Sequence, residues 1–244
     1  MTPWLLFVAS LWAGMQNAFA GGGAFVLLPA MLLTGMDARA ANITCTLALF
    51  PAQVAAGWTG ARRASGTAGL SLRNLVILSL AGGALGAALL LISSAQFFAH
   101  LLPYLVLFAT LVFAWGSLAR HPEHTRRLHP VLTAALHLII SIYGGYFGGG
   151  IGFLMLATFS AAGLTTRTAA LTKNVLVAVI NASAVVIFAF SSYARWSSAA
   201  LASVGALVGG FSGGLLLRRI NERALRVLVI LIGSALTIGL FLRD

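Results

Sequence analysis

Residues 21–28 read GGGAFVLL and residues 148–156 read GGGIGFLML, so the chain contains two glycine runs, each followed by a short apolar stretch. An offset of 128 aligns further pairs on either side of these runs: Phe19 with Phe147, Phe25 with Phe153, Gly35 with Gly163, Arg39 with Arg167, and Thr44 with Thr172. An ordered match at one spacing indicates an internal repeat rather than chance agreement. The sequence therefore predicts two homologous repeats, at 1–118 and 129–244, joined by a connecting loop at 119–128.

Composition places both repeats in a lipid bilayer. Apolar residues make up 60% of the 244 residues and charged residues only 8%, with four acidic side chains in the whole chain. A soluble domain carries about a quarter charged residues. Such a sequence cannot cover a water-facing surface, and we expect an all-α integral membrane protein surrounded by lipid.

Ten apolar runs follow one another along the chain, at about 4–20, 24–35, 40–60, 72–93, 98–118, 129–147, 151–163, 168–191, 197–217 and 224–241. A spanning helix needs about 20 residues, so 24–35 and 151–163 are too short to cross alone. We interpret each as a half-helix that continues or folds back from the helix before it. This predicts about four transmembrane helices per repeat, with glycine-broken helices at the repeat interface.

The net charge of +11 comes from arginines clustered between the apolar runs. This is the loop charge that sets membrane orientation. A nucleic-acid surface would be a basic patch with interleaved aromatic and polar residues, which is not present. Eight full crossings would leave eight arginines on the side of the termini and six on the other, favouring cytoplasmic termini. Re-entrant short segments would instead allow inverted repeats, and the sequence leaves both open.

The glycine runs are the first candidates for a binding site. Glycine lets backbone and ligand approach closely, and the start of the following half-helix presents free N–H groups that favour anions. Transporters place broken helices from two repeats around a shared site. Tight packing between membrane helices is the alternative explanation. The candidates are Gly21, Gly22, Gly23, Gly148, Gly149 and Gly150.

The helix after each short segment carries polar side chains at matching positions. They are Asn42, Thr44, Thr46 and Gln53 in the first repeat, and Thr172, Lys173, Asn174 and Asn181 in the second. Thr46 and Gln53 are seven residues apart and share a helix face, and their counterparts have the same spacing. The pattern predicts a two-sided polar site, and hydrogen bonding between packed helices is the alternative.

Lys173 is the only lysine, and it lies inside an apolar segment. An ionisable residue at that depth is a functional candidate, either as a positive charge for an anion or as a proton carrier. Snorkelling to the interface is the alternative. The equivalent position in the first repeat is Cys45.

Arg39 and Arg167 begin the same helices, and we interpret them as interface anchors rather than anion collectors.

No enzymatic or cofactor motif accompanies these residues. His121, Glu123 and His124 in the connecting loop, with His129 directly after it, match no metal-binding spacing, so no metal site is predicted. No nucleotide-binding loop or paired carboxylates are present. His137 and Ser141, four residues apart on one helix, are the single hint of a nucleophile and base. We therefore predict a protein that is not an enzyme and has no cofactor.

Several motifs together resemble the sulfite exporter TauE/SafE family of membrane anion transporters. They are GGGAFVLLP at 21–29, AANITCTLALFP at 40–51, WTGARR at 58–63, GGYFGGGIG at 144–152 and LTKNVL at 171–176. The resemblance covers nearly the whole chain. It implies a two-repeat helical fold in a bacterial cytoplasmic membrane and movement, often outward, of small sulfur-containing or organic anions. Cys45 departs from the family pattern, which has a small hydroxyl residue there.

The resulting hypothesis is a multi-pass secondary transporter of the cell inner membrane. It would export a small anion such as sulfite, thiosulfate or a sulfonate, with ion or proton coupling. The predicted partners are that anion and the lipid bilayer, without nucleic acid, and a homo-oligomer stays open. Two alternatives remain: a membrane accessory or assembly protein without transport activity, and a membrane-embedded enzyme.

Overall fold

The computed structural model describes residues 3–19, 22–67, 69–118, 128–216 and 222–242. Within them the chain is helical apart from short connections and one isolated backbone bridge between Thr67 and Leu70, so the all-α prediction is confirmed. The α-helices in the described part are α1 (Pro3–Phe19), α2 (Ala24–Leu33), α3 (Ala38–Gly60), α4 (Leu72–Ile92), α5 (Ala95–Leu118), α6 (Pro130–Tyr146), α7 (Ile151–Ala161), α8 (Thr166–Ala189), α9 (Trp196–Leu216) and α10 (Glu222–Phe241).

Each predicted apolar run coincides with one of these helices to within three residues at either end. Within the described ranges, four helices are long and apolar enough to cross a membrane: α3 with its following 3₁₀ turn, α4, α5 and α8. The short runs form α2, with 10 residues, and α7, with 11. At 1.5 Å per residue neither reaches across a hydrocarbon core of about 30 Å.

The starts of α3 and α8, the helices with the predicted polar side chains, are fixed by capping residues. The Asp37 carboxylate accepts a hydrogen bond from the Ala40 N–H at 3.0 Å. Thr165 Oγ1 accepts one from the Thr168 N–H at 3.3 Å. These bonds satisfy N–H groups that have no acceptor in the first turn of a helix. The register of both helices is therefore set locally by sequence.

Helices α3 and α8 lie side by side and run antiparallel. A Cβ atom built on Gly60 would lie 3.0 Å from the Leu171 carbonyl oxygen, and one on Gly57 would lie 3.2 Å from that of Asn174. At the other end of α3, Thr44 Oγ1 accepts a hydrogen bond from the Arg195 N–H at 3.3 Å. Later residues of α3 thus contact earlier residues of α8, as expected for antiparallel helices.

The two ends of this bundle can be named after residues found there. At the Arg39 end, the start of α3 meets the end of α4, because the Arg39 guanidinium donates to the Ser93 carbonyl oxygen at 2.6 Å. At the Ser65 end, the segment after α3 meets the start of α8, where the Ser65 N–H donates to Thr172 Oγ1 at 3.0 Å. Polar contacts therefore link neighbouring segments at both ends of the bundle.

Glycines allow two further helix pairs to pack closely. Helix α1 lies against α9, where Gly209 abuts the Leu11 carbonyl group. Helix α4 lies against α6, where Gly86 abuts the Ile142 carbonyl group and Gly145 abuts the Gly83 backbone. Small residues are common at membrane helix interfaces because they let backbones approach. Helix α9 also packs on α3, and α4 packs on α8.

Candidate functional site

A cavity of about 560 Å³ lies among α1, α3, α7, α8 and α9. This volume is in the range of ligand-binding pockets. The cavity is lined by six of the residues predicted from sequence: Gly22, Gln53, Gly148, Gly150, Lys173 and Asn174. Residues from both halves of the chain thus line the same cavity.

A second, much smaller cavity of about 20 Å³ adjoins the first, because both are lined by Gln53 and Gly148. Its other walls include three more predicted residues, Asn42, Thr46 and Asn181. It has room for about one water molecule. Asn42 Nδ2 donates to the Tyr146 carbonyl oxygen at 3.1 Å, so this side chain also ties α3 to the end of α6.

The start of α7 forms part of the large cavity. The chain leaves α6 through Gly148 and Gly150, which have φ of +79° and +78°, a region that glycine enters without strain. Gly150 caps α7 without a side-chain hydrogen bond, and Gly150, Ile151 and Gly152 all line the cavity. The first N–H groups of a helix lack intrahelical acceptors and carry its positive dipole end. This wall therefore favours an anion.

The start of α2 is arranged differently. Gly23 lies against the Ala13 carbonyl group, so the start of α2 lies beside α1. The Gly23 N–H donates to Asn17 Oδ1 at 3.1 Å, and Asn17 also lines the large cavity. An N–H at the start of α2 is therefore already occupied by a side chain, and α7 offers the freer helix start.

Lys173 brings a positive charge to the start of α7. Its side chain is half-buried and lines the cavity. A Cβ atom built on Gly152 would lie 3.4 Å from Lys173 Cδ and 3.6 Å from Nζ, so the ammonium group lies beside the α7 N-terminus. Among the acidic residues only Asp37 has a described side chain, and it lies at the start of α3, at the Arg39 end. Two positive features therefore face the same space without a counter-charge from the described part of the protein.

Gln53 is the polar side chain common to both cavities. Its Oε1 atom is buried and has no hydrogen-bond partner in the described part of the chain. A buried amide without a partner costs free energy unless water or a ligand satisfies it. The Gln53 amide is therefore available to bind a polar molecule.

Some predicted residues lie elsewhere. Thr172 Oγ1 accepts from the Ser65 N–H and Thr44 Oγ1 from the Arg195 N–H, so both hydroxyls hold connecting segments rather than line the large cavity. Gly23 and Gly149 pack against Ala13 and the Phe147 ring, respectively. Gly21 lies outside the described residues, as do the loop residues His121, Glu123 and His124.

Sequence reasoning missed the apolar wall of the cavity. It consists of Ala52, Ala55 and Ala56 on α3, Val177 on α8, and Leu207 and Phe211 on α9. In a membrane protein an apolar residue facing a cavity looks the same in sequence as one facing lipid. Only the packing of α9 against α3 distinguishes them.

Ser141 and His137, the single hint of a nucleophile and base in the sequence, do not form a hydrogen bond between their side chains. Ser141 Oγ donates to the His137 backbone carbonyl oxygen at 2.7 Å and not to the imidazole. His137 Nε2 instead lies 2.9 Å from Ser79 Oγ and 3.1 Å from the Leu75 carbonyl oxygen. All of these groups lie at the α4–α6 contact, away from the cavity lining. The arrangement ties two helices together.

The long apolar helices define a multi-pass membrane protein, and a cavity lined by Lys173 lies within its bundle. A family model described as "Sulfite exporter TauE/SafE" matches residues 6–240, and the chain belongs to this family.

Curated relatives carry compatible names. The chain is similar to "Probable membrane transporter protein ORF9" of Sinorhizobium sp, with 29% identity over 96% of this chain and 90% of the relative. It is 25% identical to a "Probable membrane transporter protein" of Haemophilus influenzae, over 96% and 92% of the two chains. The "Probable membrane transporter protein YfcA" of Escherichia coli K12 is 24% identical, over 96% and 87%. No solved structure matches the chain.

Proposed function

We propose that this transporter exports a small sulfur-containing or organic anion, such as sulfite, thiosulfate or a sulfonate, across the bacterial inner membrane. The observation that carries the proposal is the Lys173 ammonium group beside the open N-terminus of α7, inside a cavity. A fixed positive charge and free backbone N–H groups are the two features that proteins use to bind oxyanions. The Gln53 amide adds a hydrogen-bonding group.

The architecture supports this function if the chain is two inverted repeats. The contacts α1–α9 and α6–α4 exchange when α1 to α5 are aligned with α6 to α10, and so do α3–α9 and α8–α4. The corresponding helices α3 and α8 run antiparallel. Inverted repeats with glycine-broken helices around a central site are a common plan for secondary transporters.

An ion or proton gradient would supply the energy, because the sequence contains no nucleotide-binding motif. Lys173 is the candidate for coupling, since no described side chain gives it a counter-charge and a lysine in a membrane cavity can bind an anion and exchange a proton. In this scheme substrate and proton meet at the same side chain.

A flux experiment tests the proposal. Purified protein in proteoliposomes is assayed with radiolabelled sulfite, thiosulfate and a short alkyl sulfonate, as wild type, Lys173→Ala and Arg167→Ala. A hydrogen bond to a charged group contributes about 1.5–3 kcal/mol, so Lys173→Ala is expected to lower flux at limiting substrate by about tenfold to a hundredfold. Arg167, exposed and outside the cavity lining, is the control for loss of one positive charge.

Equal flux in wild type and Lys173→Ala would remove Lys173 from the mechanism. No flux with any anion, together with stable co-purification of another membrane protein, would favour the accessory role instead. A thermal-shift screen of the same anions identifies the substrate independently, because a ligand that binds the folded state raises the unfolding midpoint.

A further inference from the structure

Among the described residues, the large cavity extends toward the Ser65 end of the bundle. Along α3 its lining begins at Ala52 and reaches Thr59 in the last turn, at the Ser65 end. Thr59 and Ala55 are exposed, as is Phe211 on α9. In the other direction the cavity of about 20 Å³ continues along α3.

Arg39 lies at the other end of the bundle. It lies about 21 Å from Gln53 along the helix, from 1.5 Å per residue. Its side chain is 8% exposed. The guanidinium donates to the Ser93 carbonyl oxygen at 2.6 Å and to that of Leu91 at 3.4 Å, at the C-terminal end of α4, where the helix dipole favours a cation.

The same guanidinium also contacts the segment between α8 and α9. Its Cζ atom lies 3.8 Å from the ring centroid of Tyr193, in the segment after α8. Tyr146 at the end of α6 reaches the same place, because its hydroxyl lies 3.2 Å from Ser93 Oγ. Arg39 therefore connects α3, the end of α4 and the segment between α8 and α9 at the Arg39 end.

The matching arginine of the second half is in a different state. Arg167 aligns with Arg39 and begins α8 as Arg39 begins α3, but its side chain is exposed. Of the two matching arginines, the one at the Arg39 end is thus buried and the one at the Ser65 end is exposed.

We propose that Arg39, held by the C-terminal carbonyl groups of α4 and by Tyr193, is the gate that closes the cavity toward the Arg39 end. The proposal rests on the transport function and adds a residue outside the binding site to it. Passage of the anion to the Arg39 end requires the guanidinium to leave these contacts. Weakening them exposes the cavity to that side.

Thiol labelling measures this exposure without a substrate. Cys45 is the only cysteine, so Cys45→Ala gives a cysteine-free background in which Ala56→Cys places one thiol in the cavity wall. A membrane-impermeant maleimide is applied to right-side-out and inverted vesicles. With Arg39 present, labelling is expected to be fast from the Ser65 end and slow from the Arg39 end.

Arg39→Ala in this background is expected to raise labelling from the Arg39 end by about tenfold or more, since charge-assisted hydrogen bonds are lost. Tyr193→Ala keeps the charge and removes the ring, so it should raise labelling less. Arg167→Ala, the control, should leave labelling from the Arg39 end unchanged. Gel-filtration profiles identify any variant that fails to fold, in which case Tyr193→Ala carries the test.

Unchanged labelling from the Arg39 end in folded Arg39→Ala and Tyr193→Ala proteins would overturn the gate. Because labelling needs no substrate, the outcome is independent of the flux assay. Increased labelling without wild-type flux would uphold the gate and reject the proposed anions. Flux without increased labelling would support the proposed anions and reject the gate.

Discussion

At the scale of single residues, the two halves differ most where Lys173 aligns with Cys45. Lys173 lines the large cavity, whereas Cys45 is 2% exposed and borders the small one. A charged side chain in a membrane is costly unless it faces water or a ligand. The asymmetry therefore confines the positive charge to the α7 side of the site.

Gln53 should contribute to substrate affinity. Gln53→Leu removes an amide that both cavities share while keeping a similar side-chain size. Loss of one or two hydrogen bonds of about 1 kcal/mol each predicts a rise in KM of about fivefold to thirtyfold, measured as concentration-dependent flux. Gln96→Leu makes the same substitution at an exposed position and should leave KM unchanged. A KM equal to wild type in Gln53→Leu would contradict a role for this amide in binding.

At the scale of helices, the bundle depends on glycines that leave no room for a side chain. A methyl group on Gly86 would overlap the Ile142 carbonyl oxygen at the α4–α6 contact. That contact positions α6 and hence the glycine segment that leads into α7. The position of the cavity wall thus depends on the α4–α6 interface, although that interface does not line the cavity.

Gly86→Ala is expected to lower the thermal unfolding midpoint in detergent, because overpacking costs about 1–3 kcal/mol. Gly116→Ala on α5 is the matched control, since nothing lies within 4 Å of its added Cβ atom. Alanine stabilises a helix by about 1 kcal/mol relative to glycine, so this control should keep or raise the midpoint. Equal midpoints for the two variants would show that α4 and α6 can separate without cost.

The helices themselves could be predicted from sequence, because apolar runs of defined length form helices in lipid. Cavity residues such as Gln53 and Lys173 could also be predicted, since a polar residue in an apolar run needs a polar neighbour. Sequence alone could not predict which residue that neighbour is. Thr44 and Thr172 have the same polarity as Thr46, but their partners lie 151 and 107 residues away in sequence.

At the scale of the whole molecule, exposed arginines are concentrated at one end. Among the described residues, Arg62, Arg63, Arg73 and Arg167 are exposed in segments at the Ser65 end, and Arg195 is exposed at the Arg39 end. Positive residues favour the cytoplasmic side. We therefore expect the Ser65 end to face the cytoplasm, which differs from the orientation favoured by eight full crossings.

This orientation places both chain termini outside. Helix α1 runs parallel to α9, with Ser10 beside Gly205, and α10 runs antiparallel to α5, with Phe241 against Tyr104. Alkaline phosphatase fused after residue 244 should be active, and green fluorescent protein at the same position should be dark. As a second readout, Arg62→Cys in the Cys45→Ala background should label only in inverted vesicles. A fluorescent fusion with inactive phosphatase would reverse the assignment.

The long-range hydrogen bonds of α3 also have a consequence for biosynthesis. Asn42 is bonded to the Tyr146 carbonyl oxygen, and Thr44 to the Arg195 N–H. When the ribosome has delivered only the first half, neither partner has been translated, and these polar groups enter the bilayer unsatisfied. The nascent chain must wait for α6 and for the segment after α8 before the polar groups of its first half are satisfied. A fragment ending at residue 118 should therefore be a target of membrane quality-control proteases.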